Sequence, residues 1–145
     1  MNNETLYTIA SILSDCNYSL SEHLYIHVPF CRYRCPYCSF YSTIYLNDDA
    51  KNQFVDALIK EIEIKNFLLS KKIKTIYLGG GTPSMLSIND LGKIFDKILI
   101  NHQLDKNAEI TIEANPEDIN KELVKGWEKI GINRVSLGVQ NINEK

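Results

Sequence analysis

Three of the four cysteines of this 145-residue chain lie within eight positions, as Cys31, Cys35 and Cys38 in the spacing C-x₃-C-x₂-C. A short loop with this spacing can direct three thiolates at three corners of a cubane iron–sulfur cluster. Because a [4Fe–4S] cluster normally has four cysteine ligands, the fourth iron would stay free to bind a small molecule. The motif therefore predicts a catalytic metal centre with one open coordination position.

A zinc ion is the main alternative occupant of this loop. Zinc sites usually have four protein ligands, often in paired C-x₂-C motifs, and Cys16 or His27 could complete such a set. A group of buried structural cysteines fits less well, because Arg32, Tyr33 and Arg34 are unlike the neighbours of a core residue. The two arginines also place positive charge beside the thiols, which favours their deprotonation.

The remaining chain alternates apolar runs with amphipathic stretches, and four of the runs are typical of strands. They cover residues 24–30, 74–78, 109–114 and 134–139. The cysteine motif follows the first run, three glycines follow the second, Glu113 lies near the end of the third and Gln140 ends the fourth. Because the carboxyl ends of parallel strands meet on one face, these residues are expected to form one site.

Three helices are predicted between these strands, which makes the chain a series of βαβ units with an α/β fold. The second helix is predicted over residues 88–100, and Gly131 is typical of the end of the third. The residues predicted to start the other two are Asp48 and Asp49 for the first and Pro116, Glu117 and Asp118 for the third. Their predicted buried faces consist of Phe54, Leu58 and Ile62 on the first and of Leu123, Val124, Trp127 and Ile130 on the third.

The glycines open the segment Gly-Gly-Gly-Thr-Pro-Ser at Gly79, and successive glycines let a backbone approach a ligand closely. The segment lacks the Gly-Lys-Ser/Thr ending of a phosphate-binding loop and the spacing of a dinucleotide fingerprint. Glu113 has two open interpretations. It is either a solvent-facing strand residue or a carboxylate that meets a polar ligand, since burying it without a polar partner would be costly.

The segment Tyr-Ile-His-Val-Pro-Phe-Cys from Tyr25, continued by Arg-Tyr-Arg-Cys-Pro-Tyr-Cys-Ser-Phe to Phe40, resembles the oxygen-independent coproporphyrinogen III oxidase family of radical-SAM proteins. Within that family it is similar to the HemW heme-chaperone branch. The oxidases usually carry one more cysteine two positions after the third, where this sequence has Phe40.

The resemblance implies an incomplete (βα)₆-type partial TIM barrel, with about four parallel strands and their intervening helices in this chain. Residues 1–22 are then expected to form an N-terminal extension. Residues 23–145 are expected to be the N-terminal part of a truncated radical-SAM core domain.

The resemblance also implies a [4Fe–4S] cluster on the three cysteines, S-adenosylmethionine beside it, and heme as a further candidate ligand. The positions that match the family's contacts to S-adenosylmethionine are Tyr25, the backbone at Tyr37, Gly80, Gly81, Thr82, Glu113 and Gln140. The amino and carboxylate groups of S-adenosylmethionine would chelate the open iron, so that an electron could cleave a C–S bond at its sulfonium.

These features predict a HemW-like heme chaperone, with reductive cleavage of S-adenosylmethionine expected of the full-length protein. The first alternative is a coproporphyrinogen III oxidase or a related porphyrin- or heme-modifying enzyme, although Phe40 argues against the oxidase. The second is an inactive, truncated metal-binding module. The expected partners are heme or porphyrin, an electron donor such as a flavodoxin or ferredoxin, and heme-accepting proteins.

Composition narrows the class of protein further. Apolar residues make up 44% and charged residues 23%, as in ordinary globular proteins. The net charge of −2 gives no general electrostatic reason to expect nucleic acid or an anionic membrane as a partner. We find no secretory signal and no apolar run near the roughly 18–20 residues that span a bilayer. A cytoplasmic location is therefore expected, with membrane contact only through partners.

Overall fold

The computed structural model describes residues 19–140, and its main sheet has four parallel strands in sequence order. The strands are β1 (His23–Val28), β2 (Lys72–Gly80), β3 (Gln103–Ala114) and β4 (Arg134–Leu137). They are connected by the helices α1 (Asp48–Lys65), α2 (Ile88–Asn101) and α3 (Lys121–Lys129). None of the helices in this part of the chain is long and apolar enough to cross a membrane.

The two faces of the sheet differ in chemistry, because successive residues of a strand point to opposite sides. One face packs against the helices through buried aliphatic residues, among them Ile26, Ile76, Leu78, Ile110 and Ile112. The other face carries Tyr25, His27, Tyr77, Thr111 and Glu113. Parallel strands in sequence order, with helices on the aliphatic face, form a segment of a TIM barrel. The predicted α/β fold class is therefore confirmed.

The helix α1 begins at Asp48, as predicted, but the residue that caps it lies one position earlier. Asn47 is the cap, and its side chain accepts a hydrogen bond from the Ala50 backbone N–H at 2.9 Å. Asp48 and Asp49 follow in the first turn, where negative charge is favourable beside the helix N-terminus.

The predicted start of α3 was wrong. Pro116–Asp118 forms a separate 3₁₀ turn, and α3 begins at Lys121 after Asn120, whose side chain accepts from the Leu123 N–H. The physical reason is that Ile119 and Asn120 have extended backbones, which interrupt any helix started at the proline. The predicted buried face of α3 was also wrong at one position: Trp127 is buried as predicted, whereas Val124 is exposed.

The segment from Cys31 to residue 42, called the cysteine loop below, is closed at its base by backbone hydrogen bonds. The two-residue strands Phe30–Cys31 and Thr43–Ile44 pair in parallel on either side of it. The Thr43 N–H donates to the Pro29 carbonyl at 2.8 Å, and the Tyr45 N–H donates to the Cys31 carbonyl at 2.9 Å. The ends of the loop are thereby held together directly after β1.

Gly81, in the glycine loop (residues 79–84), lies against the chain that leads into the cysteine loop. Its N–H donates to the Val28 carbonyl at 2.7 Å. A Cβ atom at Gly81 would lie 2.6 Å from the Phe30 carbonyl oxygen and 2.8 Å from Pro29 backbone atoms. Backbone atoms cannot rotate away as a flexible side chain can, so the two loops approach this closely only because residue 81 has no side chain.

We expect Gly81→Ala to lower the free energy of unfolding by about 1–3 kcal/mol, because the new methyl group must displace backbone. Gly92→Ala is the matched control: Gly92 lies inside α2, where a Cβ would meet nothing within 4 Å. The control should raise stability by about 0.5–1 kcal/mol, since alanine is the better helix residue. Urea-induced unfolding measures both changes. A Gly81→Ala variant as stable as the wild-type chain would show that the loops have room for a methyl group.

Candidate functional site

An open cleft of about 640 Å³ lies at the carboxyl ends of the four strands. Its walls come from the cysteine loop and from the segments that follow β2, β3 and β4. The residues predicted from the sequence that line it are Cys31, Cys35, Cys38, Tyr37, Gly80, Gly81, Thr82, Glu113 and Gln140. Tyr25 instead borders a second hollow of about 430 Å³, lined largely by apolar residues of β1 and α1.

The three cysteines are free thiols of intermediate exposure that all line the 640 Å³ cleft. They do not converge on one point: within residues 19–140, no three histidine, cysteine or acidic side chains are grouped to hold one metal ion. A cubane binds each thiolate through a different iron, so its ligands need not converge in this way. A single zinc ion does require that convergence.

One side-chain contact from the end of each later strand holds the cysteine loop. After β2, the Thr82 hydroxyl donates to the Cys31 sulfur at 3.8 Å. After β3, the carboxylate of Asp118 forms an ion pair with Arg32. After β4, the side-chain oxygen of Gln140 accepts from the Tyr37 hydroxyl at 3.0 Å. Gln140 lies three residues beyond the end of β4 rather than within the strand.

Glu113 is half-buried, and both of its carboxylate oxygens are hydrogen-bonded. The Tyr77 hydroxyl donates to one oxygen at 2.6 Å, and the Gly80 N–H donates to the other at 3.1 Å. Glu113 therefore meets polar partners within the chain while it also lines the cleft. The bond to Glu113 is also the first cause of the raised pKa of Tyr77, since an ionised phenol would face the carboxylate.

His27 connects β1 to the far side of the cysteine loop. Its Nε2–H donates to the Tyr41 carbonyl at 2.9 Å, because a carbonyl can only accept. In the neutral ring Nδ1 is then the acceptor for the Tyr25 hydroxyl, 3.0 Å away. Burial, and then the charge of Glu113, raise the pKa of Tyr25. Since both ring nitrogens have protein partners, His27 is a poor fourth ligand for zinc; Cys16, the other candidate, lies outside the described residues.

Sequence reasoning missed the part that Asp118 plays in this site. Its side chain is 3% exposed and accepts a hydrogen bond from the Ser84 hydroxyl at 2.6 Å as well as pairing with Arg32. The available signal was its place directly after β3, on the face where the other site residues had been predicted. The pair also corrects the electrostatic expectation for the loop, because the charge of Arg32 is neutralised by Asp118 and does not act on the thiols alone.

We expect Tyr77→Phe to lower the free energy of unfolding by about 1 kcal/mol at neutral pH, because it removes a hydrogen bond to a partly exposed carboxylate. A raised pKa means that the folded state favours the protonated phenol. This stabilisation is therefore complete below the ordinary value of 10.0 and is lost as pH rises through the raised pKa.

The difference between wild-type and Tyr77→Phe chains should accordingly shrink in urea unfolding experiments carried to alkaline pH. Tyr41→Phe is the control, since the Tyr41 ring is 78% exposed and the variant should match the wild type throughout. A difference that stays constant as the phenol ionises would contradict the proposed role of the Tyr77 hydroxyl.

Comparisons with known proteins place this chain in a family. The model of the radical SAM superfamily matches residues 25–145. The heme chaperone HemW of Buchnera aphidicola (subsp. Schizaphis graminum) is 39% identical over 121 residues, which are 83% of this chain and 32% of the relative. The anaerobilin synthase of Escherichia coli O157:H7 is 38% identical over 125 residues, which are 84% of this chain and 28% of the relative.

The solved structure of coproporphyrinogen III oxidase (HemN) from Escherichia coli, described as a radical SAM enzyme, matches with a TM-score of 0.80 at 27% identity. The match covers 99% of this chain and 32% of that chain. The chain thus spans about a third of the length of the relatives it matches. The family model, the shared fold and the cysteine motif agree, and this chain belongs to the radical SAM superfamily.

Proposed function

We propose that this chain binds a [4Fe–4S] cluster and S-adenosylmethionine in the cleft at its strand ends and acts as part of a HemW-like heme chaperone. The observation that carries the proposal is the joint placement of three free thiols, the glycine loop, Glu113 and Gln140 around one cleft. Its volume of about 640 Å³ lies within the usual range of small-molecule sites.

The donor set fits a cluster that keeps one iron open. Cys31, Cys35 and Cys38 would each supply one thiolate, and the nearby His27 has no free ring nitrogen to serve as a fourth ligand. When bound, such a cluster supplies the single electron that cleaves S-adenosylmethionine reductively. The contribution of the chain is to hold the three sulfurs in one loop and to keep protein ligands away from the remaining position.

The glycine loop would bind the amino-acid end of S-adenosylmethionine through its carbonyl groups. The N–H of Gly80 already donates to Glu113, and the N–H of Gly81 already donates to Val28. Those two N–H groups are occupied, and an amino group in the cleft would donate its N–H bonds to carbonyl oxygens of the loop. A side chain at either glycine would also enter space that is already filled, by the His27 ring at Gly80 and by backbone at Gly81.

The other proposed contacts follow from the donors and acceptors that each side chain has left. The carboxylate of Glu113 keeps lone pairs beyond its two bonds and would accept from hydroxyl or ammonium groups in the cleft. The amide nitrogen of Gln140 has one hydrogen bond, to the Gly138 carbonyl at 3.3 Å, and a second hydrogen to donate. Thr82 contacts the cysteine loop, Tyr37 within that loop contacts Gln140, and both would bind the cofactor near the cluster. Tyr25 would support the site through its hydrogen bond to His27.

The heme-chaperone part of the proposal is supported by the relatives and by one residue. HemW proteins of several bacteria are 34–39% identical to this chain over most of its length. Phe40 occupies the position where coproporphyrinogen oxidases usually have a further cysteine. The proposed partners are heme or porphyrin, an electron-donating flavodoxin or ferredoxin, and proteins that accept heme.

A porphyrin- or heme-modifying radical-SAM enzyme is the second candidate. It is favoured by the fold shared with HemN and by the 38% identity to an anaerobilin synthase. Similar folds support different chemistry, so the two candidates must be separated by activity rather than by fold.

Anaerobic reconstitution tests the cluster. We expect about four iron and four sulfide ions per wild-type chain, and a loss of most of this iron in Cys31→Ser, Cys35→Ser and Cys38→Ser. Cys16→Ser is the matched control and should retain the wild-type iron content, because Cys16 lies outside the motif. A wild-type chain that takes up zinc and no iron would refute the cluster assignment.

Incubation of the cluster-loaded, reduced chain with S-adenosylmethionine, in the presence of either heme or coproporphyrinogen III, separates the two candidate functions. A heme chaperone should give a saturable shift of the heme Soret band and should leave coproporphyrinogen III and heme chemically unchanged. Product analysis by chromatography would favour the second candidate if decarboxylated porphyrinogen or a ring-opened tetrapyrrole accumulated together with 5′-deoxyadenosine.

A further inference from the structure

Asp118 lies where three loops of the site meet. It belongs to the 3₁₀ turn Pro116–Asp118 after β3, and its two carboxylate oxygens have different partners. One oxygen pairs with the Arg32 guanidinium in the cysteine loop, and the other accepts from the Ser84 hydroxyl at the end of the glycine loop. Neither partner is near in sequence, since Arg32 is 86 residues away and Ser84 is 34 residues away.

A carboxylate as buried as this one depends on its partners. The Asp118 side chain is 3% exposed, whereas that of Arg32 is 55% exposed. A charge taken out of water is unfavourable unless it is paired and hydrogen-bonded, and removing one partner leaves the penalty uncompensated. The folded chain therefore favours the loop arrangement in which Arg32 reaches Asp118.

This arrangement bears directly on the thiols. Arg32 follows Cys31, and Ser84 lies two residues after Thr82, whose hydroxyl donates to the Cys31 sulfur. Fixing Arg32 and Ser84 on one carboxylate thus fixes the direction in which the chain leaves Cys31. Arg34, the other arginine of the loop, takes part in no ion pair among residues 19–140, although it lines the same cleft.

We propose that Asp118 is a positioning residue that holds the cysteine loop, through Arg32 and Ser84, in the shape that receives the cluster. That the loop receives a cluster rests on the proposed function. The restraint that Asp118 places on the loop, in contrast, is a property of the cluster-free chain. Asp118 also neutralises Arg32, so the cationic side chain left beside the thiols is Arg34.

Hydrogen exchange of the cluster-free chain tests the restraint. In Arg32→Gln and Asp118→Asn, the hydrogen-bonded amides of Cys38, Thr43 and Tyr45, within the loop and at its base, should exchange about tenfold faster than in the wild type, because the loop loses a partly buried ion pair. Exchange in α2 should not change. Arg34→Gln and Glu117→Gln remove the same charges from neighbouring exposed positions and should leave the loop at the wild-type rate.

The double variant Arg32→Gln/Asp118→Asn shows whether the two residues act as a pair. Because its amides can still hydrogen-bond to each other and no charge is left unpaired, its loop should exchange no faster than that of Asp118→Asn alone. If Asp118→Asn unfolds the chain, exchange in α2 will rise too, and the comparison of Arg32→Gln with Arg34→Gln then decides the question. Equal loop exchange in those two variants would overturn the proposal.

The reconstituted chain gives a second readout. Arg32→Gln should lose iron to a chelator faster than Arg34→Gln, and the electron paramagnetic resonance spectrum of its reduced cluster should broaden, a change that lower global stability alone would not cause. Failure of the wild-type chain to take up iron would refute the proposed function. The hydrogen-exchange result alone would then decide whether Asp118 restrains the cysteine loop. Wild-type iron uptake with identical behaviour of both arginine variants would refute the role of Asp118 alone.

Discussion

The site depends on the way in which a short cysteine loop is held against the ends of three later strands. An eight-residue motif cannot fix three sulfurs by itself, because a loop without tertiary contacts has many conformations. Here Thr82, Asp118 and Gln140, one from the end of each later strand, contact the loop at Cys31, Arg32 and Tyr37. The parallel sheet makes this possible, since it brings the carboxyl ends of all its strands to one edge.

Stability and chemistry are divided between the two faces of the same sheet. The aliphatic face and the helices form the hydrophobic core, with Trp127 and Ile98 among its fully buried members. The opposite face carries Tyr77 and Glu113, which bond to each other, and Glu113 also accepts a hydrogen bond from the glycine loop. Because burial against the helices supplies most of the stability, polar groups can be kept on the other face at acceptable cost. Gly81 connects the core to the site, because it packs against the backbone that leads from β1 into the cysteine loop.

Much of this site could be predicted from the sequence because it follows from local rules. The cysteine spacing indicates the cluster, and placing Glu113 and Gln140 at the ends of successive strands predicts their convergence. The predicted fold class is confirmed for the same reason: alternating strands and helices leave few arrangements open. The roles assigned to individual residues toward S-adenosylmethionine stay proposals.

Other features could not be predicted, because they depend on contacts between distant segments or on competing local signals. Pro116 with two acidic residues is a good helix start, but so is Asn120, and the structure uses Asn120. The turn that results points Asp118 at Arg32, a pairing across 86 residues that no local pattern contains. Val124 fits a helical apolar stripe, yet α3 is short and buries only Trp127 completely.

The central claim is that one loop holds a cluster whose remaining iron is open to S-adenosylmethionine. Low-temperature electron paramagnetic resonance of the reduced, reconstituted chain tests it most directly, with spectra taken before and after adding S-adenosylmethionine. The account predicts a changed cluster signal with S-adenosylmethionine and an unchanged one with adenosine, which lacks the chelating amino and carboxylate groups. A cluster signal that S-adenosylmethionine leaves unaltered would contradict it.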